Sequence, residues 1–514
     1  MPPQTAQEST AATSATLSAA SRVLARLGLL AFIPALLVTL GLRADAKPLW
    51  HDEIYTVICA RLPSLSALWQ AERDGVDLSP PLNTALTMFV HGAIGSGRVA
   101  TRLPAIAGFL CAEWAVLEIV RRRSTLLAGV TAALLLCFTA AMRYAYEARG
   151  YGLMLGFFAV ALYAWSEAAR GRRRGLHVPL LALALAAGCW AQYFAVRAFV
   201  PIVAGEATRS LQGRRIDTPI WMAIAAAAVA LLPLAPLIDA GSTQAATFWS
   251  HASMADIGRT YAFLLQPLLS PTIAFAALAI ALALVVTVLR RTRPAPLARI
   301  PQHEVAAGAA CLLLPAIAVV AAVVSTGVFV PRYALNGAVG FAIAIPLLVS
   351  YLSRDAGLAP LILPALLASL FAQSVYASVA HARDPFVDPF AQRPALAAAT
   401  AQPRPVVITG GVMYLQLWFY APPAARARLW YVADPAQSVH YTGTDTIDRG
   451  YQQLARLTAL NTSDYATFTA QQRAFVAYTA GSGWLLRRLE EDGARIDRTG
   501  HELGAAILDV VVTK

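Results

Sequence analysis

Apolar positions along this chain gather in long runs, at about 23–42, 99–120, 124–142, 151–169, 176–192, 194–208, 219–238, 272–290, 304–326, 333–352 and 357–379. A helix rises about 1.5 Å per residue and a bilayer's hydrocarbon core is about 30 Å thick, so these runs predict about eleven transmembrane helices. Residues 80–95 are apolar as well, but the stretch is short and Pro80-Pro81 suits a helix start. It is read as a helix lying on or dipping into the outer membrane surface. Counting it as a span would throw the arginine tract at 121–123 to the other side and invert everything after it.

The pattern changes beyond 380. Val406-Val407-Ile408, Leu429-Trp430-Tyr431-Val432, Phe475-Val476-Ala477-Tyr478 and Ile507 to Val512 read as strands, with helical patterns at about 446–458 and 483–493 between them. This alternation predicts a small α/β domain over 381–514. Residues 1–21, rich in Ser, Thr and Ala, read as a disordered cytoplasmic tail. The organisation expected is therefore a tail at 1–21, a transmembrane domain at 22–380 with an external loop at 43–98, and the domain at 381–514. Gly410-Gly411 after the first strand is too weak a signal for a nucleotide site.

Composition agrees with membrane embedding: 58% of the 514 residues are hydrophobic and 14% charged, and mean hydropathy is +0.56. The net charge of +12 does not point to nucleic acid. The arginines form short tracts between apolar runs (Arg121–Arg123, Arg170 with Arg172–Arg174, Arg209 with Arg214-Arg215, and Arg290 to Arg299). With all four on the cytoplasmic side, every helix direction is set in one consistent pattern. The N-terminus is then cytoplasmic, and the C-terminal domain lies outside an inner or plasma membrane. Ala44-Asp45-Ala46 resembles a signal-peptidase site, the alternative reading of the first run. The five cysteines show neither disulfide framework nor zinc spacing.

The unusual residues fall on the external loops. Trp50-His51-Asp52-Glu53 puts two adjacent carboxylates at a membrane boundary, where they are solvated, paired or used; one beside an acceptor hydroxyl could act as a general base. Tyr146-Glu147-Ala148-Arg149-Gly150-Tyr151 and Val330-Pro331-Arg332-Tyr333 each carry an external arginine beside a tyrosine, and Arg143 is another external arginine. Guanidinium groups suit bidentate contact with phosphate. The plain alternative for Arg149 is pairing with Glu147 or snorkelling. His251 and Arg259 lie on the loop 239–271, and Gln192, Tyr193 and Arg197 at the turn between the fifth and sixth spans. Together, Asp52, Glu53, Arg149, Arg259 and Arg332 come from separate loops to one depth on one face, acids for a hydroxyl and arginines for a phosphate. A lipid-linked phosphate with its tail in the bilayer and its headgroup at the interface requires such an arrangement.

In order and spacing, Trp50-His51-Asp52-Glu53, Ser79-Pro80-Pro81-Leu82, Arg102-Leu103-Pro104, Glu147-Ala148-Arg149-Gly150-Tyr151 and Pro331-Arg332-Tyr333 resemble the protein O-mannosyltransferase and aminoarabinose-transferase superfamily of GT-C glycosyltransferases, over about residues 25–380. The resemblance implies a GT-C type polytopic helical membrane enzyme of the cell envelope with an extracytoplasmic (periplasmic) α/β domain. It implies Asp52 as catalytic base, with Glu53 either orienting its surroundings or binding a cation. Arg149, Tyr151, Arg259, Arg332 and Tyr333 would hold the donor phosphate. His51, Tyr55, Gln192, Tyr193 and His251 are placed as acceptor or sugar contacts. The implied reaction is an inverting single displacement, moving sugar from a polyprenyl phosphate to a hydroxyl of a glycan, lipid or protein. No metal ligand set is expected, and a divalent cation is the one cofactor left open. The chain departs from its relatives at Ser79, where Lys or His is common, and at Tyr55, where some carry arginine. Two other classes compete. A transporter or flippase should show charges and broken helices at mid-membrane; a scaffold for envelope assembly would leave the ordered acids and arginines without a purpose.

Overall fold

The computed structural model describes residues 4–243, 245–266, 300–353, 359–481 and 483–513. The run expected at 272–290, and most of the tract from Arg290 to Arg299, lie outside the described residues. Helix α1 is continuous over Gln4–Ala46. Within it, Ala25–Ala46 is long and apolar enough to cross a membrane. The segment after α1 then forms α2 (His51–Cys59), α3 (Leu65–Arg73) and α4 (Leu82–Ile94). The bundle continues with α5 (Arg98–Arg121), α6 (Leu126–Cys137), α7 (Tyr151–Ala169), α8 (Arg174–Ala191) and α9 (Phe199–Gly213). Its remaining helices are α10 (Thr218–Val229), α11 (Asp256–Leu265), α12 (Gln302–Val324), α13 (Asn336–Ser353) and α14 (Ala359–His381).

Among the described residues, seven helical segments are long and apolar enough to cross a membrane, and Leu82–Ile94, Leu126–Cys137 and Asn336–Leu352 are shorter apolar helices. Run lengths overestimate some spans for local reasons. The run at 124–142 breaks after Cys137, where the Ala140 amide donates to the carbonyl of Leu264 instead of continuing the helix. The run at 194–208 starts as a 3₁₀ turn over Tyr193–Ala198.

Helices α5 and α7 cross backbone to backbone. A Cβ at Gly152 would overlap the carbonyl of Ala105, and one at Gly156 the carbonyl of Gly108. Small residues four apart permit this close approach. One turn earlier a Cβ at Gly150 would overlap the carbonyl of Ala191. The loop carrying Glu147 and Arg149 is thus held between α5 and the end of α8.

The C-terminal region is an α/β unit. Its six strands are β1 (Val406–Ile408), β2 (Leu429–Val432), β3 (Thr462–Ser463), β4 (Ala474–Thr479), β5 (Arg495–Glu502) and β6 (Ala505–Val511), in the order β3-β2-β1-β4-β6-β5. The first four are parallel, while β6 is antiparallel to β4 and β5. Strand β5 went unread in the sequence because its Arg-Ile-Asp-Arg-Thr-Gly-His-Glu pattern is that of a charged edge. Helices α15 (Gly411–Tyr420), α16 (Thr446–Leu454) and α17 (Trp484–Glu491) cover the sheet.

The α/β unit shares a core with α2 and α3. Ile54, Tyr55 and Ile58 of α2 cluster with Leu415, Trp418 and Tyr451. Gln416 Nε2 donates to the carbonyl of Leu49 at 2.9 Å, and the Leu49 amide donates to the Tyr420 hydroxyl at 2.7 Å.

Candidate active site

Asp52 stands in the first turn of α2, where the unpaired amides of a helix N-terminus favour an anion. The turn is fixed by its neighbour. Glu53, with 0% exposure, accepts from the Trp50 amide at 3.3 Å and from the Ala148 amide at 2.8 Å. It also takes a two-pronged pair from Arg102, with Nε and Nη2 each 2.6 Å from a carboxylate oxygen. Arg102 completes its own bonding on the carbonyls of Ala44, Lys47 and Pro48. Glu53 and Arg102 therefore lock the end of α1, the start of α2 and the start of α5 together. The catalytic role considered for Glu53 does not fit this burial, and neither does cation binding, since both oxygens are taken by the guanidinium.

The Asp52 carboxylate, 23% exposed, is different. His51 Nδ1 lies 3.0 Å from Oδ1, and Arg332 Nη2 lies 3.6 Å from Oδ2. Burial alone would raise its pKa, but the His51 hydrogen bond and the positive charges of Arg149 and Arg332 prevail and hold it at about 2. Asp52 is a permanently ionised carboxylate at neutral pH. Arg332 is held loosely: its Nε has no partner among the described residues, and the guanidinium sits 5.9 Å from the Trp50 ring centre and 6.0 Å from that of Tyr151. Tyr333 is buried, stacked on Phe194 at 3.7 Å, and its carbonyl accepts from Arg197.

Arg149 meets an acid that the sequence reading overlooked. Its two terminal nitrogens pair with Asp77 at 2.7 and 3.0 Å, and it also donates to Ser79 Oγ, Thr56 Oγ1 and the Asp52 carbonyl. The fork expected to grip a phosphate is filled by Asp77, which is 72 residues away in sequence. Arg149 thus acts on Asp52 by its field and by holding the backbone of α2. Ser79, the departure from the related sequences, is part of this knot. Nearby Glu72 is 2% exposed, has no partner on either oxygen among the described residues, and burial followed by the Asp77 charge pushes its pKa up to about 9. Glu147 pairs with Lys47 at 3.4 Å rather than with Arg149.

The other predicted contacts divide. His51 is in the site, with its ring 5.8 Å from Tyr451 of the α/β unit. Tyr55 is buried, and its hydroxyl reaches toward Gly450 of the same unit, so it packs rather than lines a cleft. Gln192 is buried against Gly150, and Tyr193 feels the charges of Glu72 and Asp77. Arg259 leaves the constellation: its side chain is 71% exposed and pairs with Asp256 one turn back on α11. His251 is exposed in a bridge to Val328. Among the described residues no cluster of three or more His, Cys, Asp or Glu could hold a metal ion.

A helical membrane bundle with an α/β cap and an acid–arginine pair at the seam belongs to a recognisable architectural class. The chain has the GT-C type fold. It aligns with ArnT from Cupriavidus metallidurans in the apo state with a TM-score of 0.57 at 12% identity, covering 94% of this chain and 97% of that one. It aligns equally with the same protein bound to undecaprenyl phosphate, with a TM-score of 0.56 at 12% identity, covering 94% and 98%. No protein-family model and no curated protein matches the sequence.

Proposed function

We propose that this protein is an inverting glycosyltransferase that moves a sugar from a polyprenyl-phosphate donor to an acceptor hydroxyl at the extracytoplasmic face of a plasma or inner membrane. The observation that carries the reading is the ionised Asp52 carboxylate 3.6 Å from an arginine with spare donors, at the seam of bundle and cap. The fold shared with a protein seen bound to undecaprenyl phosphate supports it.

In this reading Asp52 accepts the proton of the acceptor hydroxyl, whose oxygen attacks the anomeric carbon from the face opposite the phosphate. The bond from anomeric carbon to phosphate oxygen breaks, and the polyprenyl phosphate leaves with the electron pair, needing no general acid. A carboxylate with a pKa near 2 is a weak base on its own. Donor binding corrects this: a phosphate that draws the Arg332 charge to itself removes one of the stabilising charges from Asp52 and makes it more basic. His51, donating from Nδ1, keeps Oδ1 in place and leaves Oδ2 for the substrate.

A cavity of about 340 Å³ lies between α2 and the α/β unit. A second, of about 230 Å³, opens between the ends of α1, α6 and α14, lined by Arg43, Phe138, Arg143, Tyr146 and Phe263 among others. Arg43 is bonded only to the hydroxyls of Ser374 and Ser378, and neither arginine is ion-paired among the described residues. Apolar walls with two uncompensated guanidinium groups suit a lipid phosphate. The test is transfer by the purified chain in nanodiscs containing an undecaprenyl-phosphate sugar, with products read by mass spectrometry beside the Asp52→Asn variant. Cell extracts that gain no mass-shifted glycan or glycolipid from the wild type, across the common donor sugars, would sink the proposal.

A further inference from the structure

The cavity of about 340 Å³ lies at the far end of α2 from Asp52, between that helix and the α/β unit. Ile58, Arg61, Trp418, Phe419, Arg426 and Thr458 are among its walls. Its volume is in the range of small-ligand sites. The polar groups there are of one kind. Arg61 is exposed and makes no ion pair among the described residues, with its guanidinium 5.8 Å from the Phe419 ring centre. Arg426 lies 4.8 Å over the Trp418 ring and donates only to the backbone carbonyls of Trp418, Phe419 and Ala421. The indole N–H of Trp418 is buried and has no partner among the described residues. Thr458 spends its hydroxyl proton on the Leu454 carbonyl. Two cations stand over two aromatic faces, one of those rings carries the orphan N–H, and no carboxylate is in the wall among the described residues.

We propose that this cleft binds an anionic sugar, one bearing a phosphate or carboxylate, as a distal subsite for the acceptor. A ligand here must supply acceptor atoms and negative charge to satisfy three donors. It must also offer a flat, partly apolar surface to two aromatic rings, as the face of a sugar ring does. The assignment to the acceptor rests on the glycosyltransferase reading. From Asp52 to the last residue of α2, Cys59, is seven positions, roughly 11 Å at helical rise, and Arg61 sits two residues beyond, so a short oligosaccharide or a headgroup with more than one sugar could span both ends of that helix.

The experiment uses the full chain in phosphatidylcholine nanodiscs, with glucose 6-phosphate, glucuronate, glucose and inorganic phosphate as probes, and binding read by calorimetry and saturation-transfer NMR. The two charged sugars should bind at least about tenfold tighter than glucose and than phosphate alone. Arg61→Gln, which removes an exposed and unpaired cation, should weaken the charged sugars about tenfold, and Phe419→Ala should weaken glucose and charged sugars alike. Equal binding of glucose and glucose 6-phosphate would overturn the proposal, as would an unchanged affinity in Arg61→Gln. Phosphate binding as tightly as the phosphosugar, or displacement of the sugar by phosphatidylglycerol in the disc, would overturn it in favour of a lipid or anion site. Binding is measured without turnover, so Asp52→Asn should retain it in full. Charged-sugar binding without any transfer activity would defeat the enzyme reading and leave the cleft standing.

Discussion

The two ends of the helical bundle use arginine in opposite ways. At one end the inward-facing arginines of the tracts are paired, while Arg173, Arg214 and Arg215 are exposed. Arg122 pairs with Glu118 and Glu167, Arg123 with Glu304, Arg170 with Glu167 and Glu304, Arg174 with Asp217, and Arg209 with Glu206 and Asp217. These pairs tie α5, α7, α8, α9 and α12 into a girdle. At the end carrying α2 some arginines are left under-matched: Arg332 approaches one acid at 3.6 Å, and Arg43 meets only serines among the described residues. Where a guanidinium has its carboxylate, the residue holds helices together. Where one does not, a place is left for an anion that arrives from outside. The same contrast recurs within a single turn of α2, where Glu53 is saturated by Arg102 and Asp52 is not.

Breaking the under-matched side should cost activity, and breaking the matched side should cost folding. Asp52→Asn should lower transfer roughly 10³-fold with little change in melting temperature, since the residue's partners are loose. A variant that keeps more than a tenth of the wild-type rate would remove Asp52 from the chemistry. Glu53→Gln should do the reverse. It strands Arg102 in a buried site and should destabilise by about 3–5 kcal/mol, seen as poor expression or a lowered melting temperature in detergent. Arg332→Gln should cost about 10²-fold, chiefly at sub-saturating donor, because it removes a donor aimed at the leaving phosphate; unchanged donor dependence would assign Arg332 to orienting Asp52 alone.

Glu72→Gln sharpens the comparison from a third direction, as an acid with no cation at all. Its pKa rises from 4.5 to about 9 on folding, so the native state binds a proton that the unfolded chain releases above pH 4.5. Stability is therefore complete below pH 4.5 and is lost as pH climbs toward 9, by up to roughly 1.4 kcal/mol per unit. Glutamine mimics the protonated form and should raise the melting temperature at pH 8 by several degrees, flattening its pH dependence. A persistent slope between pH 5 and 9 would show that another group is responsible. Last and smallest, Arg259→Ala should leave transfer and stability within experimental error, given its exposed pair with Asp256.

Much of the architecture was legible before any coordinates, because hydrophobic run length and arginine placement respond to the bilayer itself and need no knowledge of neighbours. The three tracts within the described residues meet at one end of the bundle, as the charge pattern anticipated. The α/β unit was readable from β1, β2, β4 and β6, whose buried faces force apolar runs, while the charged edge β5 was not. Run length also misjudged where helices stop: α6 ends at Cys137 although apolar residues continue, since a turn can be satisfied by a distant carbonyl.

The sequence by itself determined that this is a multi-span membrane protein with a polar cap, and that Asp52 and Arg332 stand out chemically. Only the tertiary structure decided who partners whom. Adjacent residues on a helix point about 100° apart, so Asp52 faces the seam and Glu53 the core, a distinction invisible in the dipeptide. Asp77 takes Arg149, and Arg102 takes Glu53, across 72 and 49 residues of chain. Charge is written locally, but whether it is spent or spare depends on contacts that long-range packing makes.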